Sequence, residues 1–201
     1  MKQFPFVVFL SIVSMFAACS GGGRKVLIMA SGKLTVDAND QKKVKLQPGT
    51  THTEKEIILT GTEPAQIDVE STDGSKTFDI KDAGSYVLNL KPDTLVGGII
   101  RYGASMNNTR LGMEQLEHMI DSTRQLMAGK NASDANKSYF IPPFSLKKIS
   151  DNLEATIIGP YNNIPGSVQV DKDGNGPETY KFFTNKQKQE SLEDLIKQMK
   201  E

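Results

Sequence analysis

The segment Asp171-Lys172-Asp173-Gly174-Asn175-Gly176 places oxygen-bearing side chains at alternate positions. Oxygens at the first, third and fifth places, with glycine at the sixth, are the order in which a loop wraps a calcium ion. The twelfth place, where such loops bring a bidentate carboxylate, is Phe182, and the seventh is Pro177. Glu178 offers a late carboxylate only along a different loop path. The same residues also suit a hairpin turn, because Asp-Gly and Asn-Gly are strong signals for one. Asp171, Asp173 and Asn175 are therefore the calcium candidates, with a plain turn as the alternative. No other cofactor is indicated.

His118 has Glu114 four residues before it and Asp121 three after, which on a helix is one face. That spacing suits an acid–base pair or part of a metal site, though one histidine is too few for zinc; a solvated polar face is the alternative. His52, in Thr50-Thr51-His52-Thr53, reads as part of a polar loop. The chain has two histidines, so a serine triad would have to use one of them. No Gly-x-Ser-x-Gly elbow, His-Glu-x-x-His pair or phosphate loop occurs. No catalytic residue is assigned, and a hydrolase would need a cleft that gathers a histidine with a carboxylate and a hydroxyl. Tyr139-Phe140-Ile141-Pro142-Pro143-Phe144 and Ile158–Pro165 concentrate aromatic and proline residues in loops, as contact surfaces or as closing segments.

The elements that would position these groups fall into two halves. From Lys25 to Gly103, short strands alternate with turn residues: Val26–Ala30, Lys33–Asp37, Lys42–Leu46, Lys55–Thr60, Gln66–Glu70, Lys76–Ile80, Ser85–Leu90 and Leu95–Tyr102. Leu34 and Val36 alternate with Lys33, Thr35 and Asp37, and Ile67 with Val69, a period that buries one face of an antiparallel sheet. Asn39-Asp40, Pro48-Gly49, Asp73-Gly74 and Pro92-Asp93 supply the turns. Gly97-Gly98 marks a bulge or a close backbone approach. Beyond residue 104 the period changes. Leu111–Ala128 carries a helical stripe through Met113, Leu116, Ile120 and Met127, with Asn108 or Thr109 as cap. Ser145–Asp151 reads as a short helical turn, Ala155–Ile158 as a strand, and Val168–Val170 with Tyr180–Phe183 as a hairpin. A last helix runs from about Lys186 to Lys200, opened by a Thr184–Gln187 capping box.

Asp82-Ala83-Gly84-Ser85-Tyr86 resembles the tyrosine corner of immunoglobulin-like domains, where the tyrosine hydroxyl bonds back to the chain. Leu88 stands where those domains have cysteine, and tryptophan is absent, so the resemblance implies a sandwich of that general or transthyretin-like kind rather than an immunoglobulin domain.

Composition narrows the function. The 201-residue chain carries 24 basic and 24 acidic side chains, so no field draws it to nucleic acid. Lack of tryptophan argues mildly against a carbohydrate-stacking platform.

The N-terminus is the most specific feature. Lys2 precedes an apolar run from Phe4 to Ala18, too short to span a bilayer and about the length of a signal-peptide core. It ends Phe16-Ala17-Ala18-Cys19-Ser20, and Cys19 is the only cysteine. This resembles the lipobox of bacterial lipoproteins. The resemblance implies cleavage between Ala18 and Cys19, acylation of Cys19, and stable anchoring by several acyl chains. A residue other than Asp at position 20 goes, in that family, with outer-membrane sorting. Ordinary secretion or an uncleaved anchor are the rival readings. Asp93-Thr94-Leu95 and Asp121-Ser122-Thr123 resemble triplets that some Bacteroidetes glycosylate.

The expected protein is mainly β with an α+β C-terminal part: a signal peptide over 1–18, a lipidated tether over 19–25, an antiparallel β-sandwich over 26–104, and helices with a hairpin over 105–201. Its expected role is a lipid-anchored binding or structural component of the cell envelope, membrane-held and facing the periplasm or the surface, with an envelope protein or glycan as partner. A calcium-stabilised adhesion or glycan-binding module is the alternative, and a hydrolase the third.

Overall fold

The computed structural model describes residues 22–100, 102, 112–166, 168–170, 172 and 176–199. Ala18, Cys19, Asp171, Asp173 and Asn175 lie outside the described residues, as do the cap candidates Asn108 and Thr109. The fold is mainly β with two helices, as the sequence indicates.

Among the described residues ten strands form two sheets. The larger has the order β4-β3-β2-β1-β5-β8. Its strands are β1 (Arg24–Val36), β2 (Lys43–Leu59), β3 (Ala65–Ser71), β4 (Gly74–Ile80), β5 (Gly84–Leu90) and β8 (Ser145–Ser150). The smaller has the order β7-β6-β10-β9, from β6 (Leu95–Ile100), β7 (Ser138–Ile141), β9 (Thr156–Ile158) and β10 (Thr179–Thr184). Helices α1 (Met113–Met127) and α2 (Asn185–Gln198) pack on each other, α2 against β10 and β6 and α1 against β7.

The larger sheet is mixed rather than purely antiparallel. β1 runs parallel to β5 and β2 parallel to β3, while β9 runs parallel to β10 in the smaller sheet. The physical reason is legible in β1 and β5. Val26-Leu27-Ile28-Met29-Ala30 is an unbroken apolar run and Tyr86–Leu90 is interrupted only by Asn89, and all of both is buried, which is the composition of parallel strands covered on both faces. Val26, Ile28, Tyr86 and Leu88 join one core with Val44, Ile57, Ile67 and Phe78, so the sheet must curl to bring β3 and β4 over β1 and β5. Leu27, Met29 and Val87 point the other way, into a second core with Tyr139, Ile141, Tyr180 and Phe182 of the smaller sheet.

Several expected boundaries move. Val26–Ala30 and Lys33–Asp37 are one strand, because Gly32 (φ 120°) carries a bulge opposite Pro48 and lets the ladder continue. A Cβ there would sit 2.1 Å from the Gln47 carbonyl oxygen. His52 consequently stands in β2, not in a loop. Ser145–Ser150 is a strand, not a helical turn, since it completes the open edge of β5. Val168–Val170 carries no strand; β10 pairs with β6 and β9 instead of forming a hairpin with it. The sheets do not divide at residue 104 either. β6 pairs with β7 and β10, and β8 with β5.

Arg24 and Lys25 belong to β1 and not to a tether. Arg24 is 1% exposed, and its guanidinium donates to the carbonyls of Gly61, Thr62 and Lys81 at 3.0–3.2 Å. Lys25 Nζ donates to the Ala155 carbonyl at 2.6 Å. The tyrosine corner is formed: Tyr86 Oη donates to the Asp82 carbonyl at 2.8 Å. So is the capping box of α2, with Gln187 N donating to Thr184 Oγ1 and Thr184 N to Gln187 Oε1. On α1 only Ile120 of the expected stripe is buried, and Met113 stays exposed.

Candidate functional site

His52 is brought to polar partners that lie far from it in sequence. The β1–β2 register sets it opposite Ser31, just before the bulge. Lys91 follows β5 directly and lies beside both. Its Nζ donates to Ser31 Oγ at 3.2 Å and to His52 Nδ1 at 3.1 Å. With Nδ1 accepting, the hydrogen of the neutral ring is on Nε2 and donates to Glu54 Oε1 at 2.6 Å. Glu54 Oε2 accepts from Asn162 Nδ2 at 2.7 Å. The result is a chain, Ser31–Lys91–His52–Glu54–Asn162, crossing from the larger sheet to the loop after β9.

That loop is fastened at further points. Lys181, 6% exposed on β10, donates through Nζ to the carbonyls of Gly159, Pro160 and Asn162. Gln187 Nε2 also reaches the Pro160 carbonyl, at 3.3 Å. A Cβ on Gly159 would fall 1.8 Å from Glu54 Oε1, so a side chain there would displace the Glu54 carboxylate. The Tyr161 ring rests on His52 with centroids 4.7 Å apart, yet the residue is 59% exposed. Burial pushes the Lys91 ammonium below its ordinary value, with Asp93 and Glu54 opposing. Burial does the same to Lys181, and Glu54 again opposes.

The arrangement gathers a histidine, a carboxylate and a hydroxyl, the set a hydrolase would need. The order differs from a serine triad, because Ser31 meets the lysine and the two imidazole nitrogens meet Lys91 and Glu54. The chain ties the Asn162 side chain to β2, and its imidazole carries the Tyr161 ring.

A second polar cluster lines a cleft of about 510 Å³ with Lys137, Tyr139, Lys148, Ser150, Asn152, Glu178 and Tyr180. Glu178 accepts from Lys137 Nζ at 2.8 Å, Tyr180 Oη at 2.6 Å and Ser150 Oγ at 2.9 Å. Burial alone would raise this carboxyl, but the three donors outweigh it and hold it down to about 2. Burial and the Glu178 carboxylate together push the Tyr180 hydroxyl upward.

A pH dependence follows. Because the folded carboxyl sits below its ordinary 4.5, its contribution is complete above that pH and is lost as pH falls from there toward 2. The full depression would be worth about 3 kcal/mol. With the Lys137 side chain 45% exposed, screening brings this to about 1–2 kcal/mol. Urea titrations at successive pH values should show that loss, and Glu178→Gln should flatten it.

Comparison with protein-family models, with curated proteins and with solved structures finds no match. The function therefore rests on the residues themselves.

The other expected groups are not assembled into a site. His118 is exposed on α1, and Asp121 is engaged by Gln125 Nε2 at 2.6 Å. Among the described residues no group of three or more His, Cys, Asp or Glu side chains is placed to hold a metal. Of the later calcium-loop positions, Phe182 is sealed in the core and Glu178 is spent on Lys137, Tyr180 and Ser150. Sequence reasoning missed Lys91, Glu54 and Lys181. Lysines on β-rich chains ordinarily mark the wet face, and only the pairing shows these two indoors. No described helix is long and apolar enough to cross a membrane.

Proposed function

We propose that this chain is a lipid-anchored envelope protein, outer-membrane held, which recognises an envelope protein or glycan through the loop surface carrying Tyr161. Cys19 carries the reading: the only thiol in the chain stands directly behind Ala17-Ala18 at the end of a short apolar run. The position of β1 supports it. β1 begins at Arg24, five residues after Cys19, so the fold starts within about 18 Å of the acylated residue even if the chain between is fully extended. Ser31 lies seven residues further along β1, about 23 Å from that end. His52, Lys91 and Tyr161 gather at that level, away from the anchor, where Tyr161 and Ile164 stand exposed. An exposed aromatic ring held by a rigid network is a suitable contact group, since little side-chain freedom is left to lose on binding.

Cys19→Ala should move the protein from the membrane to the soluble or unprocessed fraction nearly completely. Immunoblots of fractionated cells read this directly; a variant that stays with the membrane like the parent would contradict the lipid anchor. A second reading, a calcium-stabilised adhesion or glycan-binding module, stands on Asp171, Asp173 and Asn175 alone. Calcium-dependent thermal stability separates the two.

A further inference from the structure

We infer that the Lys91–His52–Glu54 chain is an acid-released latch on the Tyr161 loop: protonation of His52 frees the Tyr161 ring from the sheet. The inference concerns regulation of the recognition surface and to that extent rests on the reading above.

The geometry leaves His52 one way to take a second proton. Nε2–H already faces Glu54, so the proton must go to Nδ1, which points at Lys91 Nζ 3.1 Å away. An acceptor then becomes a donor facing an ammonium group. Lys91 is 5% exposed and, among the described residues, would keep Ser31 Oγ as its side-chain hydrogen-bond partner. The charged groups near the chain are Lys91 and Asp93 from the turn after β5, Glu54 from β2 and Lys181 from β10, with Lys188 of α2 beyond Lys181 and the phenol of Tyr161 beside the ring. A proton on Nδ1 therefore sets a cation directly against Lys91. The shorter bond to Glu54 would gain charge, but Glu54 is already shared with Asn162 and lies near Lys181.

Relief comes most directly by turning the imidazole outward. The Tyr161 ring stacks on that imidazole, and Asn162 hangs on the carboxylate next to it. The Tyr161 contact therefore leaves with the ring, and the carboxylate that holds Asn162 loses its histidine partner. Lys181 keeps the base of the loop in place through three carbonyls, so release is local and does not unfold the sheets. The glutamate cluster around Glu178 titrates at about 2, well below the range in which imidazoles change charge, and does not confuse the readout.

The chain contains no tryptophan, so Tyr161→Trp installs a single reporter in the full-length protein. Acrylamide, being neutral, reads its accessibility at any pH. Taken from about pH 8 to about pH 5, the quenching constant should rise about twofold or more and return on neutralisation. His52→Gln supplies the control, since its carbonyl can accept from Lys91 and its amide can donate to Glu54 without titrating. In that background the rise should vanish. A flat profile in the parent, or the same rise with His52→Gln, would overturn the latch. Should the tryptophan variant fail to fold, hydrogen exchange of the 159–164 peptide in the unmodified chain reads the same opening. Its protection, corrected for intrinsic rate, must fall with acid in the parent and not in His52→Gln. Neither measurement uses the membrane or a partner, so failure of the latch and failure of the anchoring proposal are told apart.

Discussion

Gly97→Val should prevent the smaller sheet from assembling. Gly97 faces Phe182 across the β6–β10 ladder, and there the two backbones approach unusually closely. A Cβ at 97 would lie 2.2 Å from the Lys181 carbonyl oxygen and 2.9 Å from Phe182 Cα. These are backbone atoms of the strand that carries Tyr180 and Phe182 into the core and Lys181 into the loop. They cannot step aside without breaking the ladder on both sides. The cost is about 4 kcal/mol or more, in the range where single substitutions unfold small domains. Urea denaturation of a purified sample, or its recovery from inclusion bodies alone, would show it. Gly166→Ala, where nothing lies within 4 Å of the new methyl, should be near neutral. A Gly97→Val protein as stable as the parent would mean the strands have another way to pair.

Arg24→Met should cost about 2–3 kcal/mol, although the substitution keeps most of the apolar stem. Three carbonyls converge on one guanidinium: Gly61 and Thr62 from the β2–β3 connection, and Lys81 from the β4–β5 connection. Without the fork these oxygens lose a charged donor at a partly buried spot, and a hydrogen bond to a charged group is worth about 1.5–3 kcal/mol. Arg24→Lys should recover only part of the loss, because an ammonium on a flexible stem cannot span three acceptors placed for a planar fork. Chemical denaturation of the three proteins checks the order. Equal losses for Lys and Met would show that the fork geometry is irrelevant.

What the sequence made legible, and what it hid, follows from which interactions are local. The tyrosine corner needs only Asp82 through Tyr86 and could be read directly; so could the Thr184–Gln187 cap. The alternation of Ile67 and Val69 marked β3 correctly because one face of that strand is wet. Ser145–Ser150 misled because Leu146 and Ile149 are three apart, which suits a helix turn. In a strand an odd offset sends them to opposite faces: Leu146 joins the first core and Ile149 the second. The pairing that decides it is with β5, more than fifty residues earlier, and leaves no local mark. The candidate site was hidden for a related reason. His52 among threonines looks like a polar loop, and Lys91 before Pro92 looks like a turn flank. Only the parallel β1–β5 pairing and the β1–β2 register place Ser31, His52 and Lys91 together. The Gly159-Pro160-Tyr161 segment was visible as a rigid aromatic loop, but its fastening by Lys181 and Glu54 was not.

The measurement that bears most directly on the account is the mass of the N-terminal peptide of the protein extracted from membranes. The account predicts a peptide that begins at Cys19 and carries acyl chains on that residue. A peptide that retains Phe4–Ala18, or one that begins elsewhere with an unmodified Cys19 on a freely soluble protein, would contradict it.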